Sequence, residues 1–218
     1  MIPNQHPGEA LCEQTRLLLL DAALKLIAAH GLGALSIDDI TREAGLYPGA
    51  FYAHFSSKSV MFVELLERLG EEAFAELDLF DGAEPEPWRE RVLALFHTLR
   101  HNRLCVLCWT EAKLLAARDE GFRHWFATFN QQAATRVAEA IGKLCASTGR
   151  RTIASPEVLA LGLMRLTEGI QLSQLSGEGG NTVLAEQIVL RFMDGMTREG
   201  GGSPGTPHFS DVSDFRQD

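Results

Sequence analysis

The stretch Ser36 to Lys58, S-I-D-D-I-T-R-E-A-G-L-Y-P-G-A-F-Y-A-H-F-S-S-K, constrains the fold more than any other part of the 218-residue chain. It reads as a short helix, a tight turn, a very short second helix and the start of a third. Ser36 is placed to cap the first helix, with Asp38 and Asp39 in its first turn, where the helix dipole favours negative charge. Ile37, Ile40 and Ala44 recur at i, i+3 and i+7, which gives that helix one buried face. Gly45 stands where the chain must leave the helix, and glycine takes up the left-handed conformation of such an exit without a Cβ clash. Pro48 suits the first position of the next helix, because its missing N–H has no partner there in any case. Two helices joined by a turn of about three or four residues make a helix-turn-helix, whose second member fits a DNA major groove.

These residues resemble the DNA-binding end of TetR/AcrR-type transcriptional regulators, whose pattern runs approximately A-G-V-S-x-G-x-L-Y-x-H-F-x-S-K-E. Ala44, Gly45, Gly49, Phe51, Tyr52, His54, Phe55, Ser57 and Lys58 stand where that pattern expects them, and the likeness extends upstream through Ala22, Ala23, Gly31 and Ile40. A lone helix-turn-helix pattern is weak, but this many positions at fixed spacing are specific. Three positions depart from it: Tyr47 replaces the usual Ser, Pro48 a commonly polar or basic residue, and Ser59 a Glu. The resemblance implies phosphate contacts from Tyr52, His54 and Lys58, and backbone or base contacts from Thr41 and Arg42. It also implies that Gly49 lets DNA approach closely and that Ala50 touches a thymine methyl, while Phe51 and Phe55 seat the helix. Tyr47 either loses a helix cap or brings a phenol to a phosphate or base.

Charge qualifies this picture. The net charge of −9 argues against a generic nucleic-acid coat, which is normally basic. Residues 1–60 carry Arg16, Lys25, Arg42 and Lys58 against Glu9, Glu13, Asp21, Asp38, Asp39 and Glu43, so this end is also slightly acidic. DNA binding then depends on the placement of a few cations, hydroxyls and helix N-termini, with weak non-specific affinity and a modest salt dependence.

The rest of the chain reads as all-α, with about nine helices. Residues 1–14 are expected to form an N-terminal arm, 15–58 the helix-turn-helix domain, 59–198 a ligand-binding and dimerisation domain, and 199–218 a disordered tail. Thr15 is expected to cap a helix reaching His30, and Ser56 a helix over 57–80. The segment D-G-A-E-P-E-P over 81–87 is the clearest break. Helices are then expected over 88–100, 104–117, 121–147, 156–176 and 182–197, the fourth opened by Ser155, Pro156 and Glu157. The last two are apolar over more than one face, which implies either a homodimer through an intermolecular four-helix bundle or a central helix inside one subunit; the resemblance favours the dimer. The apolar run Leu17–Leu20 is far too short to span a membrane, and the four cysteines have no extracellular spacing, so the cytoplasm is the expected compartment.

Two side-chain groups are candidates for chemistry. His97, His101, Cys105 and Cys108 would share one face of a continuous helix and have zinc-type donors. A helix break expected at His101–Arg103 separates them, so the expectation is buried thiols with no metal and no cofactor. The second group is aromatic: Trp109, Phe122, Trp125, Phe126 and Phe129, the last four at i, i+3, i+4 and i+7. A core stripe is the default for such spacing, but the resemblance implies an effector cavity lined by some of them. Glu111, Arg165, Glu168 and Gln171 interrupt apolar faces, either as surface groups or as the polar groups that orient a ligand. The function implied is a homodimeric, ligand-responsive transcriptional repressor that binds a palindromic DNA operator and is released by a small-molecule effector. The alternative is an all-α small-molecule-binding protein or enzyme that does not bind DNA. No nucleophile–base pair or phosphate loop supports catalysis, and a purely architectural DNA protein would be basic.

Overall fold

The computed structural model describes residues 7–79, 87–178 and 181–199. These contain α1 (Pro7–His30), a 3-10 turn (Leu32–Ala34), α2 (Ile37–Glu43), α3 (Ala50–His54), α4 (Lys58–Leu79), α5 (Trp88–Thr98), α6 (Arg103–Arg118), α7 (Glu120–Ser147), α8 (Pro156–Ser176) and α9 (Thr182–Gly195). The all-α organisation is the one expected. One small addition to it is an antiparallel ladder of β1 (Arg150–Thr152) and β2 (Thr197–Glu199), which ties the end of α9 to the end of α7.

Several boundaries move, each for a local reason. Helix α1 starts at Pro7, so residues 7–14 are helical and not an arm. A proline belongs at a first helical position, where no N–H is needed. Thr15 lies within this helix and caps nothing; its hydroxyl donates to the Leu11 carbonyl at 2.9 Å. The cap of α4 is Ser57 and not Ser56, since the Val60 N–H donates to Ser57 Oγ at 3.2 Å. Ser155 caps α8 through the Val158 N–H, and Gly177 closes it in the left-handed conformation at φ 80°. Residues 1–6, most of the expected linker (80–86) and most of the expected tail (200–218) lie outside the described residues.

Two apolar cores result. The first joins α1 to α4 and one face of α6, with Leu19, Ala23, Ile27, Ile40, Phe51, Phe55, Phe62 and Leu66 all at most 1 % exposed. Each such side chain contributes roughly 1.5–3 kcal/mol relative to exposure, if aliphatic or aromatic. The second joins α5, α7, α8 and α9 through Val92, Phe96, Ile141, Leu159, Leu163, Val189 and Met193. Helix α4 contributes to both, with Phe62 in the first and Leu77 in the second. No helix among the described residues is long and apolar enough to cross a membrane.

Candidate functional site

At the helix-turn-helix end, capping and glycine geometry set the angle between α2 and α3. Ser36 Oγ accepts from the Asp39 N–H at 3.1 Å. The Ser36 hydroxyl, and next the Arg42 guanidinium, hold the Asp39 carboxyl below its ordinary pKa. Gly45 sits at φ 69°, and the Leu46 N–H then closes back on the Thr41 carbonyl at 2.8 Å. Pro48 lies two residues before α3 and not at its first position; Gly49 is the cap residue, and the Ala50 N–H reaches the Tyr47 carbonyl at 3.0 Å.

The residues expected to contact DNA divide into three groups. Tyr47 and Tyr52 are 70 % and 66 % exposed. A Cβ at position 49 would lie 3.0 Å from Tyr47 Cε2, so Gly49 leaves room for that ring beside the turn. Arg42 is exposed and His54 half-buried, the latter with Nδ1 3.8 Å from Cys12 Sγ on α1. Thr41 and Ala50 are corrections: they are 1 % and 3 % exposed, and the Thr41 hydroxyl donates to the Ile37 and Asp38 carbonyls. Both pack inward and present nothing to a groove. Thr41 lies at i+4 from Ile37, so the period that marks the buried face already includes it.

All four cations of residues 1–60 are engaged within the protein. Arg16 pairs with Glu64, Lys25 with Glu43 at 3.6 Å and Arg42 with Asp39 at 2.8 Å, while Lys58 Nζ donates to the Leu35 carbonyl. Exposed pairs of this kind are worth about 0–1 kcal/mol and exchange readily, so they tune the surface without closing it.

A cavity of about 380 Å³ lies among α4, α6, α7 and α8, within the range of about 300–1,000 Å³ typical of small-molecule sites. Of the expected residues, Trp109, Phe126, Phe129, Arg165, Glu168 and Gln171 line it. Trp109 stacks on Phe129 at 5.1 Å between centroids, and Phe74 of α4 stacks on the same ring at 5.6 Å. Lys113, His101, Asn130 and Thr167 also line it and were not in the expected set. Lys113 was findable, since it stands at i+4 from Trp109. Lys113 Nζ and Arg165 Nη1 meet the same oxygen of Glu168, Oε2, at 2.5 and 2.6 Å.

Three expected pocket residues are elsewhere. Phe122 stacks on Phe62 at 5.9 Å, and Trp125 packs with it against the first core. Glu111 turns to the other side of α6, where its carboxylate accepts the Leu32 N–H at 3.2 Å. Gly31 has φ 80°, and a Cβ there would lie 3.2 Å from Glu111 Oε1.

The histidine–cysteine group is divided. Helix α5 ends at Thr98, and Asn102 caps α6 by accepting the Cys105 N–H at 3.0 Å. His97 pairs with Glu186 of α9 at 3.2 Å, whereas Cys105 and Cys108 lie in the first core. Burial pushes the Cys105 thiol up and Cys108 up to about 12, which keeps both protonated. His101 is in the cavity wall, and burial lowers its pKa.

One face of α8 and α9 carries large exposed apolar side chains. Val158, Leu161 and Leu172 on α8 are 56 %, 50 % and 46 % exposed, and Val183, Leu184 and Ile188 on α9 are 58 %, 47 % and 40 % exposed.

An N-terminal helix-turn-helix joined to a larger helical unit with an internal cavity defines a helix-turn-helix regulator architecture. Residues 19–65 match the family of bacterial regulatory proteins of the tetR type. Those residues therefore form a tetR-type regulatory domain at the N-terminal end of the chain. It is 40 % identical over 67 residues to the transcriptional regulator AcrR of Shigella flexneri, covering 31 % of each chain. It is 35 % identical over 104 residues to the transcriptional repressor KstR2 of Mycobacterium tuberculosis, covering 46 % of this chain and 52 % of the relative. The curated relatives are thus matched over only part of their length. A transcriptional regulator from Saccharomonospora viridis, solved in complex with choline, has the same fold at a TM-score of 0.72 and 21 % identity, over 86 % of this chain and all of that one.

Proposed function

We propose that this protein is a homodimeric, effector-responsive transcriptional repressor that works in the cytoplasm. Two copies of α3 enter successive major grooves of a near-palindromic operator, and a small molecule in the cavity favours a conformation with lower DNA affinity. The observation that carries this reading is the double role of α6. Trp109 and Lys113 line the cavity, while Glu111 on another face of the same helix holds the Leu32 N–H beside the helix-turn-helix. An effector that displaces α6 therefore changes the seating of the DNA-binding end.

The exposed phenols of Tyr47 and Tyr52, with His54, Arg42 and Gly49, supply the DNA face, and Lys58 joins them when it leaves Leu35. The apolar face of α8 and α9 supplies the dimer contact. The repressor name of KstR2 and the choline in the Saccharomonospora viridis structure support the regulatory class and the binding of a small molecule. Genome-wide capture of bound DNA tests the reading: a single near-palindromic site supports it, and no enriched site defeats it. Light scattering during size-exclusion chromatography tests the dimer, which a monomer at micromolar concentration excludes.

A further inference from the structure

We propose that the cavity takes an amphipathic organic anion: an apolar body against the aromatic wall, with a single carboxylate-like head on Lys113 and Arg165. This rests on the reading of the cavity as the effector site. Among the described residues, the charged groups in the wall are Lys113, Arg165 and Glu168, two cations against one anion. Both cations meet Glu168 Oε2, so their nitrogens are neighbours. Arg165 bonds only through Nη1 among the described residues, which leaves most of its guanidinium donors unengaged. A guanidinium fork beside an ammonium suits a carboxylate, which accepts several charge-assisted hydrogen bonds at once.

A cationic guest is disfavoured by the state of the ring faces. Recognition of a quaternary ammonium needs open aromatic faces within about 6 Å of the charge. Here Phe129 is stacked against three rings, Trp109, Phe74 and Trp125, and Arg136 lies 4.7 Å from the centre of the Phe74 ring. Among the described residues, the only carboxylate in the wall is shared by two cations. His101 adds no charge near neutral pH, because burial lowers its pKa.

The wall also holds an unmet polar group. Thr167 is 2 % exposed, and its Oγ1 has no hydrogen-bond partner among the described residues. Helical threonines elsewhere in this chain, including Thr98, Thr110, Thr128 and Thr135, donate to the carbonyl four residues back. A second polar atom on the guest, separate from its anionic head, would relieve that deficit.

The test uses matched probes that differ only in the head: biphenyl-4-carboxylate, its primary amide and the biphenyl-4-yl trimethylammonium ion, together with the same three heads on a decyl chain. Binding to the full-length protein without DNA is read by calorimetry. With at least one body, the carboxylate should bind about tenfold or more tighter than the amide, and the trimethylammonium ion weakest. K113M and R165M should each weaken the carboxylate about tenfold and leave the amide unchanged, the amide doubling as the control for folding. E168Q should tighten the carboxylate by releasing both cations. Equal or tighter binding of the ammonium ion, carboxylate binding indifferent to K113M and R165M, or binding of none of the probes overturns the proposal. Because DNA is absent, these outcomes are independent of operator binding; a carboxylate that binds as expected but leaves DNA affinity unchanged counts against the repressor reading alone.

Discussion

The first core and the cavity use the same kinds of ring in opposite ways. In the first, Phe51, Phe55 and Phe62 are at most 1 % exposed and enclosed on every side, so the short recognition helix has one position available to it. At the cavity, Trp109, Phe126 and Phe129 are half-buried and border a void of about 380 Å³. A filled core fixes the element that must keep a constant shape, while an incompletely filled one leaves room for a guest and for a change of packing. The contrast is sharp because α4 and α6 contribute to both regions.

The largest test removes a ring from each side. Phe51→Ala should cost about 3–5 kcal/mol in urea denaturation, because the surrounding core cannot collapse. Phe126→Ala should cost clearly less, since its ring already borders open space; equal losses would erase the contrast.

Gly70→Ala probes the same difference by adding volume. Its Cβ would lie 2.3 Å from Phe129 Cζ, but that ring can swing into the cavity. Stability should fall by no more than the low end of the ~1–3 kcal/mol usual for overpacking. Carboxylate-probe binding, by contrast, should be lost in calorimetry. Retained binding with a large stability loss would mean that the wall is as rigid as the first core.

At the DNA face, Tyr52→Ala should weaken operator binding about tenfold, ~1.4 kcal/mol, in a fluorescence-anisotropy titration. The melting temperature should not move, because the side chain is 66 % exposed. Unchanged affinity would remove Tyr52 from the interface. Ser36→Ala should cost about 1 kcal/mol through the lost cap on α2, read by thermal melting.

The smallest expected effect is a pH dependence in the cavity wall. The folded-state pKa of His101 is depressed by burial below its ordinary 6.5. The unfolded chain therefore binds more protons in the interval below that value. This contribution is complete above pH 6.5 and is lost as pH falls towards the folded-state pKa. His101→Gln should flatten that part of a stability–pH curve.

Much of the helix-turn-helix was legible because its signals are local. Ser36 and Gly45, like Ser155 at the start of α8, each act within one turn of the position that reveals them, and the structure uses all three as caps or exits. Thr41 was also legible from its place on the Ile37–Ile40 face, although a polar residue beside Arg42 invites a surface reading. The aromatic stripe of α7 was legible as a stripe but not in its partition. Phe122 meets Phe62 in the first core and Phe129 meets Trp109 at the cavity, and only the crossing of α4, α6 and α7 decides which. The β1–β2 ladder joins segments far apart in sequence through three residues each, too few to show an alternating pattern. The Lys113–Glu168–Arg165 group was similarly hidden, because Lys113 and Glu168 lie on different helices.

The position of Glu111 has a consequence for how such a protein can diversify. Trp109, Glu111 and Lys113 lie within little more than one turn of α6, whose backbone hydrogen bonds hold them as one piece. A change at 109 or 113 that displaces the helix backbone therefore also shifts the carboxylate that braces Leu32. Chemical taste and responsiveness are coupled wherever such a change moves this helix. A lineage that changes its guest must retune its response with it, and Gly31, with no Cβ to spare beside Glu111, leaves little slack for doing so.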